Sequence, residues 1–301
     1  MGKRIVVTGA NSYLGRNVVQ GLLAKEHCDV YALISPRSAG LQIEGRSGVR
    51  VIRADLCCAL TGEVVDILRG ADRVFHLAWV RKGRPREVQA ANDAMIQNLL
   101  SAVRSPGRFY FMSSVAASPT ATSGYGMAKW SVQQIVLKQG GIVLVCGLVV
   151  EPVPQGPYHL LCRAVRSLPV SIRMTAGSLK VYPVHIDDVV ACIGDAVESD
   201  RPSGTYRLFA SVPPDVNDFL QAIERQYPKA RIPFALDPLG LTRWMTALSC
   251  VRLMPAAWID KMLTFLNKNQ VYLDSIQQWP GTLIRPWSEG LLVAPRRMAT
   301  P

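Results

Sequence analysis

Short β-rich runs alternate with longer helical patterns through the first half of the chain, and few folds accept that alternation. Strands are predicted over residues 4–8, 29–34, 49–54, 73–77, 108–112 and 142–145. Helices are predicted over 13–25, 61–69 and 87–104, and from about Tyr125 onward. In 87–104 the apolar residues Val88, Ala91, Met95, Leu99 and Val103 recur at helical spacing. Strands that alternate with helices imply a parallel sheet covered on both faces. After Val150 the texture changes, with prolines at 152, 154, 157 and 169. A helix (186–198) and a strand (205–210) restore the alternation briefly, and from Pro213 the chain reads as mainly helical, over 215–227, 241–253 and 255–267. The expected architecture is α/β: a doubly wound parallel sheet with a smaller, mainly helical C-terminal substrate domain. Residues 1–150 plus about 184–212 form the dinucleotide-binding core in this reading, and 151–183 plus 213–301 the substrate domain.

Charge narrows the partners. The chain has 301 residues and a net charge of +12, carried by 25 Arg and 9 Lys. Such a bias suits a polyanion: nucleic acid, a membrane surface or a phosphate-bearing ligand. No basic motif interleaved with aromatics marks nucleic-acid binding. The longest apolar run, residues 140–150, falls short of the ~20 residues a membrane-spanning helix needs. Residues 241–266 mix Trp, Met and Leu with Arg and Lys, so peripheral membrane contact is one reading and packing on the core or a dimer partner the other. The N-terminus has no signal-peptide profile. The seven cysteines are odd in number and contain no C-x-x-C, which argues against a disulfide framework or a zinc site. A cytoplasmic protein without a metal is the expectation.

The first strand runs into Thr8-Gly9-Ala10-Asn11-Ser12-Tyr13-Leu14-Gly15, and a helix follows. A turn of this kind is an anion site, because free backbone N–H groups and the helix dipole point at the phosphate. Gly9 makes the tight turn, Gly15 permits close helix–strand packing, and Ser12 stands where a glycine is usual. At the end of strand two an acid selects NAD and an Arg accommodates the 2′-phosphate of NADP. Here the chain reads Ser35-Pro36-Arg37-Ser38, so NADP is expected at Arg37, with NAD the alternative.

Seven further or overlapping pieces complete a pattern. They are TGANSYLG (8–15), ADL (54–56), FHLAW (75–79), ANDAMIQNLL (91–100), FMSSVA (111–116), YGMAK (125–129) and YPVHIDDVV (182–190), with WPGTLIRPWSEGL (279–291) late in the chain. The chain resembles the extended short-chain dehydrogenase/reductase family, also called the NAD-dependent epimerase/dehydratase family. The resemblance implies a Rossmann-type sheet and a homodimer. It implies that Gly9, Ser12, Tyr13, Leu14 and Gly15 hold the pyrophosphate, that Asp55 and Leu56 flank the adenine, and that Leu77, Ala78 and Leu148 line the cofactor. It makes Ser114, Tyr125 and Lys129 the catalytic set, the last two also touching cofactor, and Asn92 a brace. The chemistry is coherent: a phenol titrates near pH 10, and a neighbouring ammonium favours the phenolate, which lets Tyr125 serve as acid or base.

Two departures shape the expected reaction. Dehydratases of this kind carry an acidic pair after the catalytic Ser or Thr, and here Val115 and Ala116 stand there, so dehydration is disfavoured. After strand six the family's arginine and tyrosine are missing from Val145–Pro152, which weakens the assignment of substrate. The loop Arg81-Lys82-Gly83-Arg84-Pro85-Arg86 reads as a phosphate-gripping lid or as a solvated loop. Arg81, Arg84, Arg86 and Arg173 are candidate substrate ligands. The expected function is an NAD(P)-dependent oxidoreductase or epimerase acting on a nucleotide sugar, by 4-keto reduction or C4 epimerisation. The alternatives are an oxidoreductase for a non-sugar ketone or alcohol, and a non-catalytic dinucleotide sensor.

Overall fold

The computed structural model describes residues 2–237 apart from 26, 39, 41–44, 82, 152 and 176–178, together with 240, 264 and 269–291. Strand β1 (Lys3–Thr8) shows why both faces of the sheet must be covered. Ile5 and Val7 join one apolar cluster, Val6 joins another, and all three are fully buried. A strand that is apolar on both sides belongs inside a parallel sheet. Around β1 lie β2 (Cys28–Ile34), β3 (Val49–Arg53), β4 (Arg73–His76), β5 (Phe109–Ser114), β6 (Ile142–Cys146), β10 (Gly204–Leu208) and β12 (Gln277–Gln278). Their order is β12-β10-β6-β5-β4-β1-β2-β3, with every neighbouring pair parallel.

Helices α1 (Tyr13–Leu23) and α6 (Ile186–Glu198) cover the face of Ile5 and Val7, through Val18, Val19, Leu22, Val189 and Ile193. Helices α2 (Gly62–Arg69), α3 (Pro85–Ala102) and α4 (Gly124–Lys138) cover the other, through Val64, Leu68, Met95, Leu99, Val132 and Val136. This is the doubly wound Rossmann-type sheet expected. Strand order reverses between β1 and β4, and ligands of such sheets sit in the crevice beyond the carboxyl ends at that point. Helix α3 starts at Pro85, two residues before the predicted bound. Proline suits the first helical position, and the Glu87 carboxylate accepts from the Arg84 N–H at 3.0 Å.

The remaining elements form a smaller layer. Helix α5 (Gly156–Ser167) and α7 (Val216–Gln226) share a cluster of Tyr158, Cys162, Val165, Phe219, Leu220 and Ile223. Two short strands, β7 (Leu148–Val150) and β9 (Pro183–His185), pair in parallel, and so do β8 (Val170–Met174) and β11 (Ile232–Leu236). The β8–β11 pair was not expected in a mainly helical region. Pro169 hid the alternation of Val170, Ile172 and Met174, and Ile232–Leu236 is too exposed to show any. The predicted helices at 241–253 and 255–267 lie outside the described residues, Thr264 aside, and so does nearly all of the 241–266 stretch read for membrane contact. No described helix is long and apolar enough to cross a membrane.

The late segment returns to the core. Helix α8 (Gln270–Ser275) packs Leu273 beside Ile276 in the cluster of α3 and α4. Trp279 is buried and donates to Asp195 at 3.0 Å. Arg285 grips the buried Asp188 by its Nε (2.8 Å) and its backbone N–H (3.1 Å). Two of the motif pieces, YPVHIDDVV and WPGTLIRPWSEGL, are therefore clasped to one another. Helix α9 (Trp287–Leu291) then sets Trp287 against Phe219 of the smaller layer.

Candidate active site

The turn after β1 is held from several sides. Gly9 has φ +66°, and a Cβ there would stand 2.6 Å from the Ala78 nitrogen. A Cβ on Gly15 would stand 2.3 Å from the Gly9 carbonyl oxygen. Ser12 caps α1, and its Oγ accepts from the Gly15 N–H at 3.0 Å. The hydroxyl is thus an N-cap, which explains a serine at the middle position. The first N–H groups of a helix lack intrahelical partners. Ser12 takes those of Gly15 and Arg16, and those of Tyr13 and Leu14 remain as the donors of the turn. The arrangement fits a dinucleotide pyrophosphate. Burial and the neighbouring Glu151 carboxylate push the Tyr13 phenol up, so its side chain packs as a neutral group.

The turns after β2 and β3 carry Arg37, Asp55 and Leu56. Arg37 is exposed in the turn after β2, where Ser35 Oγ accepts from its N–H at 3.4 Å. Asp55 is exposed and accepts from the Cys57 N–H at 3.1 Å, while Leu56 is buried. Asn98 fixes this loop by donating to the carbonyls of Leu56 (3.1 Å) and Cys58 (2.8 Å). Sequence reasoning passed over Asn98, because a polar residue on a helix reads as solvated.

The exit of β4 is the site's second wall. Thr8 Oγ1 accepts from the Ala78 N–H at 3.3 Å and lies 2.7 Å from His76 Nδ1. Burial, and then the Lys129 ammonium, push His76 down to about 3, so it is neutral. Leu77 and Ala78 follow, half-buried. Asn92 is buried and brackets Val80: its Oδ1 accepts from the Val80 N–H at 3.0 Å, and its Nδ2 donates to the Val80 carbonyl at 3.1 Å. It also donates to the Val88 carbonyl at 2.7 Å.

Helix α4 brings the third wall. Ser123 caps it by accepting from the Gly126 N–H at 3.0 Å, which places Tyr125 in the first turn. A Cβ on Gly126 would stand 2.4 Å from the Ala116 carbonyl oxygen, so only glycine lets α4 approach the exit of β5 this closely. That contact brings the Tyr125 phenol beside Ser114, whose hydroxyl lowers it. Lys129, four residues on, lies on the same helix face and is buried. Its Nζ donates to the Met112 carbonyl at 2.7 Å and sits 4.0 Å from the centre of the Trp79 ring and 4.5 Å from that of Phe111. Cys146 is the strand partner of Ser114, and burial pushes its thiol up to about 12.

The electrostatics differ from the expectation. Burial raises the Tyr125 phenol, and the strongest pull the other way comes from Arg81, followed by the Ser114 hydroxyl. Burial likewise drives Lys129 well below the usual ammonium range, and Arg81 pushes it further down. Desolvation exceeds the local charges in both groups.

The basic loop is divided. Arg81 acts on Tyr125 and Lys129, whereas Arg84 pairs with Glu87 (3.7 Å) at the start of α3, and Arg86 is exposed in the first turn of α3. Lys82 lies outside the described residues. Arg173, on β8, is engaged by Glu224 through both its terminal nitrogens, at 3.2 and 2.8 Å. Leu148 opens β7 and bonds the Tyr182 carbonyl at 2.7 Å. The residues brought together around Tyr125 are Ser114, Lys129, Trp79, Arg81 and Cys146. Trp79 and Cys146 carry no signal of their own in the sequence.

Comparison with known proteins agrees with the fold. A model of the NAD dependent epimerase/dehydratase family matches residues 5–208. The UDP-2-acetamido-2,6-beta-L-arabino-hexul-4-ose reductase of Pseudomonas aeruginosa is 25% identical over 203 residues, which are 62% of this chain and 47% of the relative. The dTDP-6-deoxy-L-talose 4-dehydrogenase (NAD(+)) of Aggregatibacter actinomycetemcomitans is 32% identical over 91 residues, 30% of this chain and 33% of the relative. The chain spans under half the length of each of these curated relatives. The crystal structure of gox2253 has the same fold, with a TM-score of 0.72, 18% identity and 97% of both chains covered.

Proposed function

The chain belongs to the NAD-dependent epimerase/dehydratase family, and we propose that it is a nicotinamide-dinucleotide-linked oxidoreductase whose substrate is a nucleotide-linked sugar. The reaction in this reading is reduction of a 4-keto group, with C4 epimerisation by transient oxidation as its close variant. The observation that carries the proposal is the gathering of Ser114, Tyr125 and the buried Lys129 at the carboxyl ends of β4 and β5, next to the point where strand order reverses. The names of the two curated relatives support the substrate class, since both describe 4-position redox chemistry on a nucleotide-linked sugar. Val115 and Ala116 are buried and apolar beside Ser114, so water elimination lacks its carboxylates.

The dinucleotide, when bound, supplies or accepts the hydride. Gly9 and Gly15 bring β1 and α1 together, and the N–H groups of Tyr13 and Leu14 hold the pyrophosphate. Ser114 orients the substrate oxygen by a hydrogen bond. Tyr125 gives its phenolic proton to that oxygen as the carbonyl carbon gains hydride, and takes a proton in the reverse direction. Lys129 and Arg81 stabilise the phenolate that remains. Asp55 and Leu56 border the adenine and Arg37 the 2′-phosphate of NADP. The name of the Aggregatibacter relative carries NAD(+), which keeps NAD as the alternative at Arg37.

The experiment is NADPH or NADH oxidation, followed by absorbance, across a panel of 4-keto UDP and dTDP sugars. Turnover that vanishes in Tyr125→Phe while dinucleotide still binds is the expected outcome. Binding of dinucleotide with no turnover across the panel moves the proposal to a non-sugar carbonyl. Near-full activity in Tyr125→Phe removes Tyr125 from the mechanism.

A further inference from the structure

Lys129 is a buried amine whose neighbours are unusual. The groups that shift it are Arg81 from the loop after β4 and Cys146 on β6, with His76 on β4 responding to it in turn. None of these is a carboxylate. A buried ammonium costs several kcal/mol unless something replaces its water. What replaces it is one carbonyl, that of Met112 at 2.7 Å, and two aromatic faces, with Trp79 the nearer at 4.0 Å and Phe111 at 4.5 Å. The same Trp79 ring meets Tyr125 edge to face, with centroids 6.0 Å apart and planes at 82°. It also leans on Phe111 at 6.3 Å. Its backbone is fixed from the next residue, because Asn92 brackets both polar groups of Val80. One side chain thus touches both members of the working pair and cannot drift.

We propose that Trp79 is a positioning residue of the reaction centre: its face holds the Lys129 amino group, and its perpendicular contact sets the ring of Tyr125, so that amine and phenol are placed as one unit. This rests on the reading of Tyr125 and Lys129 as the working pair. The physical warrant is the ring quadrupole, negative on the face and positive at the edge. The Trp79 face meets the Lys129 Nζ, and the Trp79 and Tyr125 rings cross near the perpendicular, a favourable arrangement for each contact. A leucine at 79 would fill part of the volume and do neither.

The test weakens the ring without changing its shape. Tryptophan fluorinated on the benzo ring is placed at position 79 by amber suppression in protein carrying ¹³Cε-labelled lysine. The Lys129 resonance is assigned by its loss in Lys129→Arg. The expected result is a fall of the Lys129 titration midpoint that grows with the number of fluorines. It should approach about one pK unit, as expected for a desolvated cation–π contact. Turnover falls in parallel through kcat, with KM little changed. Trp79→Phe, which keeps an aromatic face, retains most of both properties. A Lys129 midpoint that does not move with fluorination, in protein with an unchanged urea midpoint, overturns the proposal. The titration is independent of substrate, so a wild-type protein inactive across the sugar panel sinks the proposed reaction and leaves this test standing.

Discussion

Gly9→Ala tests how closely the turn after β1 packs against the backbone at the exit of β4. Two costs can be separated. The first is conformational, because φ at Gly9 is +66°, and an L side chain there costs about 1–2 kcal/mol. The second is steric. The new Cβ would stand 2.6 Å from the Ala78 nitrogen, 2.7 Å from its Cα and 2.9 Å from the Leu77 carbonyl carbon. These are main-chain atoms of the β4 exit, tied to Thr8 by the N–H groups of Leu77 (3.2 Å) and Ala78 (3.3 Å), so no side chain can swing away. Overpacking of this kind costs about 1–3 kcal/mol. The sum, roughly 2–5 kcal/mol, is a large part of a domain's stability of about 5–15 kcal/mol. Gly156→Ala is the control. Its φ is +56°, and nothing lies within 4 Å of the Cβ position. It loses the conformational cost alone, reduced by about 0.4–1 kcal/mol because the unfolded chain is also restrained. Urea unfolding of both variants gives the midpoints, with equal slopes showing that the same surface is exposed. Gly9→Ala should lose clearly more, and its dinucleotide affinity should fall as Ala78 is displaced. Equal midpoints in the two variants would refute the reasoning.

Two further outcomes follow from charge. Arg81 is the strongest influence lowering the Tyr125 phenol, so Arg81→Gln should move its ionisation to higher pH. This is read as tyrosinate absorbance after subtracting the same curve in Tyr125→Phe, and a midpoint that stays or falls contradicts the assignment. His76 is held down to about 3 by burial, while an unfolded chain titrates near 6.5. Below that pH the unfolded state binds a proton that the folded state refuses, so stability declines as pH falls from 6.5 toward 3. His76→Phe, between the rings of Phe109 and Phe111, should flatten that decline in urea midpoints measured at pH 7, 5.5 and 4.5. An unchanged slope would count against a neutral His76.

What the sequence disclosed was what local rules govern. The two-sided apolar strands, the turn from β1 into α1 and the four-residue spacing of Tyr125 and Lys129 each follow from neighbours in the chain. The hidden parts depend on approach between distant segments. Gly126 matters because Ala116 passes 2.4 Å from where its Cβ would be, and Trp79 matters because α4 brings Lys129 under its face. Neither contact leaves a periodicity. Arg173 shows the converse: as a residue it looks like a phosphate ligand, and only the fold reveals Glu224 on the adjacent helix. The same holds for Arg84 and Glu87, three apart, whose spacing was legible but was read as loop. The sign of the Tyr125 shift was also beyond the sequence, because the spacing gives the cation but not the burial that outweighs it.

That sign bears on direction. Burial favours the neutral form of both central groups, raising the phenol and lowering the amine. Tyr125 therefore holds its proton at neutral pH, which is the form that reduction of a carbonyl requires. Oxidation of an alcohol requires the phenolate, and the positive features available to favour it are Arg81 and the N-terminus of α4, in whose first turn Tyr125 stands. Each of these is worth more as water leaves the crevice, but so is the desolvation that opposes them. A site built this way leans toward proton donation until a further positive charge arrives beside the phenol. An oxidised nicotinamide ring carries such a charge, and a reduced one does not. The protonation state of Tyr125 would then follow the redox state of the dinucleotide, acid for reduction and base for oxidation. A C4 epimerase would need both within one turnover, and a reductase only the first.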